Sequence, residues 1–313
     1  MRMTAIVSLA TAMLAGIWVR AIAQETPRAP SVEEAHLGLS SGPLRAAHLV
    51  ALPEGAVLQA GETQITAEQV AAEIEKARQD PETYAALQKN AFFVLEKLGT
   101  RALLLDEARR WAQEASLDSS KQTDLSLIET YLGDLASQVQ VTEEESHAFF
   151  AANQEMLGGA TYEQVAQSIL SYLEDQRRAA AVAARINTLS ERASVGLDAA
   201  WVATQAATAL DTAVDRARRS GKPTVADFGA TGCGQCDMMT PILEELGQAY
   251  GEQCNVLFVQ VGEEPILAAR YGIESIPVQV FFDREGKEFH RHSGFYPKGE
   301  IVAKLMELGV EVD

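Results

Sequence analysis

Four residues, Cys233-Gly234-Gln235-Cys236, constrain this chain more than any other feature, because they sit where an apolar run gives way to a helical pattern. Before them, Thr224-Val225-Ala226-Asp227-Phe228 reads as a short strand buried on both faces. After them, Asp237 to Leu246 carries helical periodicity. The first cysteine therefore falls at a helix N-terminus. Unpaired backbone N–H groups and the positive end of the helix dipole favour a thiolate there. Such sites bring a cysteine pKa of about 8.5 down to about 3.5–7.5. The thiolate is the form that attacks a disulfide, and a two-residue spacer lets the second thiol displace the first partner. On this reading Cys233 is the nucleophile and Cys236 the resolving thiol.

The chain has 313 residues and only three cysteines, the third being Cys254. A disulfide-stapled scaffold of that length needs many more. Half a zinc site is a competing reading of the pair. The sequence has no second Cys-x-x-Cys, however, and His290 and His292 are the only paired histidines. No metal and no cofactor is expected. A purely structural disulfide is the other competitor, and Gly234 inside the pair at a helix start argues against it. Cys254 lies near a strand start and reads as an inert buried thiol.

The flanking residues extend the pattern. Asp227 stands six residues before Cys233, and Pro241 lies inside the following helix. Val256 to Val261 reads as a second buried strand. Arg270-Tyr271-Gly272-Ile273-Glu274-Ser275-Ile276-Pro277 leads into the strand Val278-Gln279-Val280-Phe281-Phe282. A turn at Asp283 to Lys287, an edge strand at Glu288 to His292, Gly294 and a last helix from Lys298 to Leu308 follow. Jointly, residues 206–313 resemble the thioredoxin family. The resemblance implies an α/β fold with a central mixed sheet flanked by helices. It implies that Asp227 is buried, with a raised pKa, and takes the Cys236 proton. It also implies a cis peptide at Pro277, with the backbone at Ile276 meeting substrate beside the nucleophile. Gly234 and Gln235 complete that substrate-facing surface.

There are departures from the family pattern. Gly229 and Gly232 stand where tryptophans are usual, the spacer is Gly-Gln where Gly-Pro is common, and Phe258 occupies the place of a lysine. These positions bear on the redox potential. Ile276 before the proline is closer to reducing thioredoxins than to dedicated oxidases, so reductase or isomerase chemistry is expected ahead of oxidation.

At roughly 100–200 residues per domain, the length asks for a second domain. Ala56-Val57-Leu58 and Thr63-Gln64-Ile65 flank a turn at Ala60-Gly61-Glu62, and helical patterns then run almost to residue 195. Thr66 with Gln69, Thr142 with Glu145 and Thr161 with Gln164 have capping-box spacing. With the Leu-rich stretch Arg101 to Ala108, Phe149-Phe150 and Gln176-Arg177-Arg178, this region resembles the N-terminal chaperone domain of SurA-type periplasmic foldases. Where relatives carry a parvulin domain this chain has only Gln154 to Ala160, so isomerase activity is not implied. The expectation is multidomain: an all-α chaperone-like domain at 55–196, then the α/β domain at 206–313. Residues 24–54, with Pro27, Pro30, Gly38, Gly42, Pro43 and Pro53, read as a linker or flexible arm.

Residues 1–23 have the form of a secretory signal peptide: Arg2, an apolar run from Ile6 to Val19, and Ala21-Ile22-Ala23 before Gln24. An uncleaved membrane anchor is the alternative, and either places the protein in the periplasm or cell envelope. The net charge of −18 argues against nucleic acid and against anionic lipid surfaces. Protein disulfides or thiols are the expected partners, with a membrane thiol-reductant relay implied by the family. The helical domain would hold an unfolded client or dimerise the chain. Two rival readings remain: a holdase with a structural Cys pair, and a cytochrome c maturation thiol reductase.

Overall fold

The computed structural model describes residues 28–154, 157 and 159–312, so the signal-peptide reading at 1–23 lies outside the described residues. The described residues open with α1 (Val32–Ala35), a 3-10 turn (Pro43–Ala46) and β1 (His48–Val50). The hairpin β2 (Ala56–Ala60) and β3 (Thr63–Thr66) follows. Six helices come next: α2 (Ala67–Glu75), α3 (Pro81–Lys89), α4 (Ala91–Glu114), α5 (Asp124–Ser137), α6 (Glu143–Ala152) and α7 (Tyr162–Arg192). β4 (Gly196–Asp198) and α8 (Ala199–Ala209) complete this N-terminal unit.

Local chemistry sets the helix starts. The Thr66 hydroxyl accepts from Gln69 N–H at 3.2 Å, while Thr66 N–H donates to Gln69 Oε1 at 2.8 Å. Thr142 and Glu145 repeat the exchange, and Thr161 N–H donates to Gln164 Oε1 at 2.9 Å. Each pair satisfies backbone donors that a helix N-terminus leaves free.

Two expectations need correction. Residues 31–50 are not a loose arm: Val32, Leu39, Leu44 and Leu49 are buried in one core with Phe92, Leu95 and Leu197. Their spacing follows neither a helical nor a strand period, so the apolar content is real but its pattern is not diagnostic. Buried Glu96 on α4 fastens the segment by accepting from the Ser40 hydroxyl at 2.5 Å and from Leu44 N–H at 3.1 Å. Nor is the N-terminal unit all-α. It contains a four-stranded sheet in the order β1-β4-β2-β3, with β4 parallel to β1 and antiparallel to β2. β1 and β4 have three residues each, too few to display alternation.

The C-terminal unit runs α9 (Ala213–Arg218), β5 (Thr224–Gly229), α10 (Gly234–Tyr250), β6 (Asn255–Gln260), α11 (Pro265–Arg270), β7 (Val278–Phe282), β8 (Glu288–Ser293) and α12 (Lys298–Glu307). Its sheet has the order β6-β5-β7-β8, with β5 parallel to β6 and antiparallel to β7. This is the thioredoxin fold, a mixed sheet with helices on both faces. Strand alternation divides the core in two. Ala226 and Phe228 of β5 enter one cluster with Val214, Leu267, Tyr271 and Phe282. Val225 enters the other with Met239, Leu246, Phe281 and Ile301. Asp227 and Gly229 share the face of Val225, on the side of α10.

The packing places the division between the units at 210–212 instead of 206. Val202, Ala206 and Ala209 of α8 belong to the N-terminal core, whereas Val214 belongs to the C-terminal one. The uninterrupted run Ala206 to Arg219 looks like one helix in sequence. In the structure, Leu210 ends α8 and Thr212 caps α9. The two units meet at Arg270. Its guanidinium donates to Ala209 O at 2.8 Å and pairs with Asp215 at 2.5 Å, and its own carbonyl accepts from the Ser41 hydroxyl.

Candidate functional site

Cys233 is the N-cap residue of α10, and Cys236 N–H donates to Cys233 Sγ at 3.3 Å. The first sulfur thus occupies the place where a hydroxyl or carboxylate oxygen usually caps a helix, facing the dipole's positive end. Cys233 and Cys236 are joined as a disulfide with Cα atoms 5.1 Å apart. The pair is asymmetric: Cys233 is partly exposed, whereas Cys236 is 2% exposed and covered by the fold. An incoming group reaches the first sulfur and not the second.

Asp227 lies fully buried on β5. Its Oδ1 accepts from Gln279 Nε2 at 2.6 Å across the β5–β7 register that sets the two residues opposite each other. Burial raises the carboxyl from 3.8 to about 6, with the Gln279 hydrogen bond pulling the other way. Sequence reasoning missed Gln279, since a glutamine inside an apolar strand gives no local sign of its partner. Phe258 stands opposite Asp227 on β6, so no lysine ammonium flanks the acid from that position.

The two glycines in tryptophan positions have different causes. Gly232 has φ of +83°, a conformation that side chains resist. Gly229 is small for want of room. A Cβ there would lie 2.8 Å from the Phe258 ring, 3.3 Å from Cys236 Cβ and 3.4 Å from its Sγ. Phe258 thus packs against the Gly229 position, and it lines one cavity of about 390 Å³ together with Cys236.

The Ile276–Pro277 peptide is cis. Pro277 is buried, and its carbonyl accepts from Gly294 N–H at 2.8 Å. A Cβ on Gly294 would lie 3.7 Å from Gln235 Oε1, which sets the Cys-x-x-Cys spacer beside the proline loop. Gln235 and Ile276 line one cavity of about 430 Å³. Gly234 is exposed, with open space around it. His292 stacks on Tyr296 with ring centres 4.0 Å apart and hydrogen-bonds Phe295 O through Nε2 at 3.1 Å. His290 Nε2 lies 3.4 Å from the Tyr296 hydroxyl. Cys254 is a free, buried thiol, and burial pushes its pKa up to about 11.

The site also holds residues that the sequence marks only as apolar faces of helices. The far wall of the 430 Å³ cavity comes from the N-terminal unit: Phe149 of α6, and Val165, Ile169 and Tyr172 of α7.

Comparison with known proteins agrees with this geometry. The thioredoxin family model matches residues 202–307. A thioredoxin-like protein of Synechocystis is 37% identical over 28% of this chain and 81% of its own length. The thioredoxin of Alicyclobacillus acidocaldarius is 34% identical over 32% of this chain and 95% of its own length. Among solved structures, a thioredoxin from Nicotiana alata aligns at a TM-score of 0.28 with 28% identity, covering 31% of this chain and 82% of that one. The chain therefore belongs to the thioredoxin family, through the domain that its C-terminal unit forms.

Proposed function

We propose that the thiol–disulfide oxidoreductase-type chemistry of this chain runs through Cys233 as nucleophile, Cys236 as resolving thiol and Asp227 as proton acceptor, in the direction of reducing or reshuffling client disulfides. The observation that carries this reading is the asymmetric pair: an accessible sulfur capping α10 and a covered one behind it, with a buried carboxyl on the strand beneath.

In the first step the Cys233 thiolate attacks one sulfur of a client disulfide. The Cys233–client bond forms, the client's S–S bond breaks, and the departing client thiolate takes a proton from solvent. Asp227, ionised, then accepts the Cys236 proton, and the Cys236 sulfur attacks Cys233 Sγ. The Cys233–Cys236 bond forms, the mixed disulfide breaks, and the second client thiolate leaves and is protonated. The client gains two electrons and the pair loses two. Returning the pair to dithiol takes two electrons from an external dithiol donor, the role of a membrane relay in an oxidising compartment. Isomerisation needs no net electrons, because the client's own second thiol releases Cys233.

The acidic chain is read as exported to the periplasm or cell envelope on the signal-peptide pattern of residues 1–23, and its helical unit as a holder of unfolded client on the resemblance stated above. Insulin reduction coupled to a dithiol donor tests the chemistry. Wild type turns over, Cys233→Ser is dead, and Cys236→Ser accumulates a mixed disulfide. A pair potential near roughly −270 mV would mark a reductant and one near roughly −120 mV an oxidant. Turnover that survives Cys233→Ser would remove the assignment. N-terminal sequencing of the protein from an envelope fraction should begin at Gln24, and an intact Met1 in the membrane fraction would indicate an anchor instead.

A further inference from the structure

The cavity beside the redox pair is bounded by two units, and this is what sets the chain apart from a lone thioredoxin domain. One wall is Gln235 of the spacer, Ile276 before the cis proline, and Phe295. The other is Phe149 with Val165, Ile169 and Tyr172. The last three are spaced i, i+4 and i+7, so they form one stripe of α7 turned toward the C-terminal unit. Tyr172 is 44% exposed despite being a large aromatic, and its ring centre is 5.4 Å from that of Phe149. The volume falls within the roughly 300–1,000 Å³ of recognition pockets.

The same stripe continues. A second cavity of about 610 Å³ shares Tyr172, Ser275 and Ser293 with the first and is lined further along α7 by Gln176, Ala179 and Ala183. From Val165 to Ala183 the helix rises about 27 Å at 1.5 Å per residue. That length matches about eight residues of extended chain at about 3.3 Å each. The trough is bulky and apolar at the end that Gln235 and Ile276 line. Farther away the α7 wall is small, and Asp175, Gln176 and Glu274 offer polar groups to a peptide backbone.

We infer that this trough, closed on one side by α6 and α7, binds an extended, unfolded stretch of client polypeptide. A large apolar side chain next to the client cysteine seats against Phe149, Val165, Ile169 and Tyr172. The inference rests on the oxidoreductase reading above and names the substrate class for it. The occupant follows from continuity: the trough is lined at one end by Gln235 of the Cys-x-x-Cys spacer and Ile276 before the cis proline, so a client chain whose disulfide meets Cys233 runs on into it. A small-molecule disulfide would leave most of the trough empty.

The test compares two substrates on the full chain: a peptide disulfide with phenylalanine beside the cysteine, and bis(2-hydroxyethyl) disulfide, which is too small to reach the α7 wall. Ser168, exposed on the same wall, is replaced by Ser168→Trp to fill the cleft, and Tyr172→Ala truncates the wall. Both positions are solvent-facing, and circular dichroism verifies that each variant is folded. The ratio of kcat/KM for the peptide over the small disulfide should fall about tenfold in each variant, the scale of losing one apolar pocket contact. In wild type, exchanging the peptide's phenylalanine for glycine should lower it by a similar factor. Unchanged ratios in both variants would overturn the inference. So would a ratio that depends on enzyme concentration, which would assign the trough to a second copy of the chain. Absence of turnover on both substrates in wild type would instead sink the oxidoreductase reading itself.

Discussion

The carboxyl of Asp227 has two oxygens and, among the described residues, a single partner, Gln279 on Oδ1. Desolvation dominates, so the group titrates near 6 in the folded protein against 3.8 as a free side chain. Holding it ionised at neutral pH costs roughly 3 kcal/mol, because one pKa unit corresponds to about 1.4 kcal/mol. Between about pH 4 and 6 the native state binds the extra proton, so stability falls as pH rises through that window. Asp227→Asn should flatten this slope and raise the melting temperature at pH 7. The same substitution should slow resolution of the mixed disulfide roughly a hundredfold, the scale of losing a positioned base. The wild-type rate should decline as pH drops through about 6, and the variant should lack that limb. Stopped-flow release of client thiol across pH measures both, and an identical profile in the variant would dismiss the base. Asp227 was legible from its spacing to Cys233 and its apolar neighbours. Gln279 was not, because a cross-strand partner is fixed by register and leaves no trace in its own neighbourhood. The small size of Gly229 was visible, but its cause, the Phe258 ring against that position, exists only once β5 and β6 are paired.

Secondary-structure elements were legible in proportion to their length and period. The buried strands β5 and β7 appear as plain apolar runs, and the capping pairs mark α2, α6 and α7. The three-residue strands β1 and β4 carry no period. The break between α8 and α9 depends on Thr212, whose hydroxyl accepts from Asp215 N–H at 3.2 Å while its own N–H donates to the Asp215 carboxylate at 3.1 Å. Asp215 also pairs with Arg270, and both are almost wholly buried. Removing one partner from such a pair strands the other charge, at a cost of about 3–5 kcal/mol. Asp215→Ala should therefore lower unfolding free energy by that amount in urea, and adding Arg270→Met should restore much of it. If the single and double variants are equally unstable, the pair is not what joins α9 to α11.

At the scale of the whole molecule, two units were expected, but their seam was misplaced and their mutual contact was invisible. The α7 stripe and the proline loop lie far apart along the chain, and no local pattern joins them. The seam has no slack tether: Arg270 grips the last turn of α8 through Ala209, α9 through Asp215, and the N-terminal segment through Ser41. These contacts fasten the two walls of the gap beside Gln235 and Ile276 to one another. If the trough is the client site proposed above, it acts as a gauge that a bare thread of polypeptide passes and a finished globule does not. One disulfide, offered once in a natively folded host and once in a destabilised variant of that host, should be reduced at least tenfold faster in the second, the discrimination that a single excluded contact supplies; equal rates would mean that the gap does no gauging. On that proposal, a protein built on this plan sorts its clients by whether they have come undone, before any sulfur is touched.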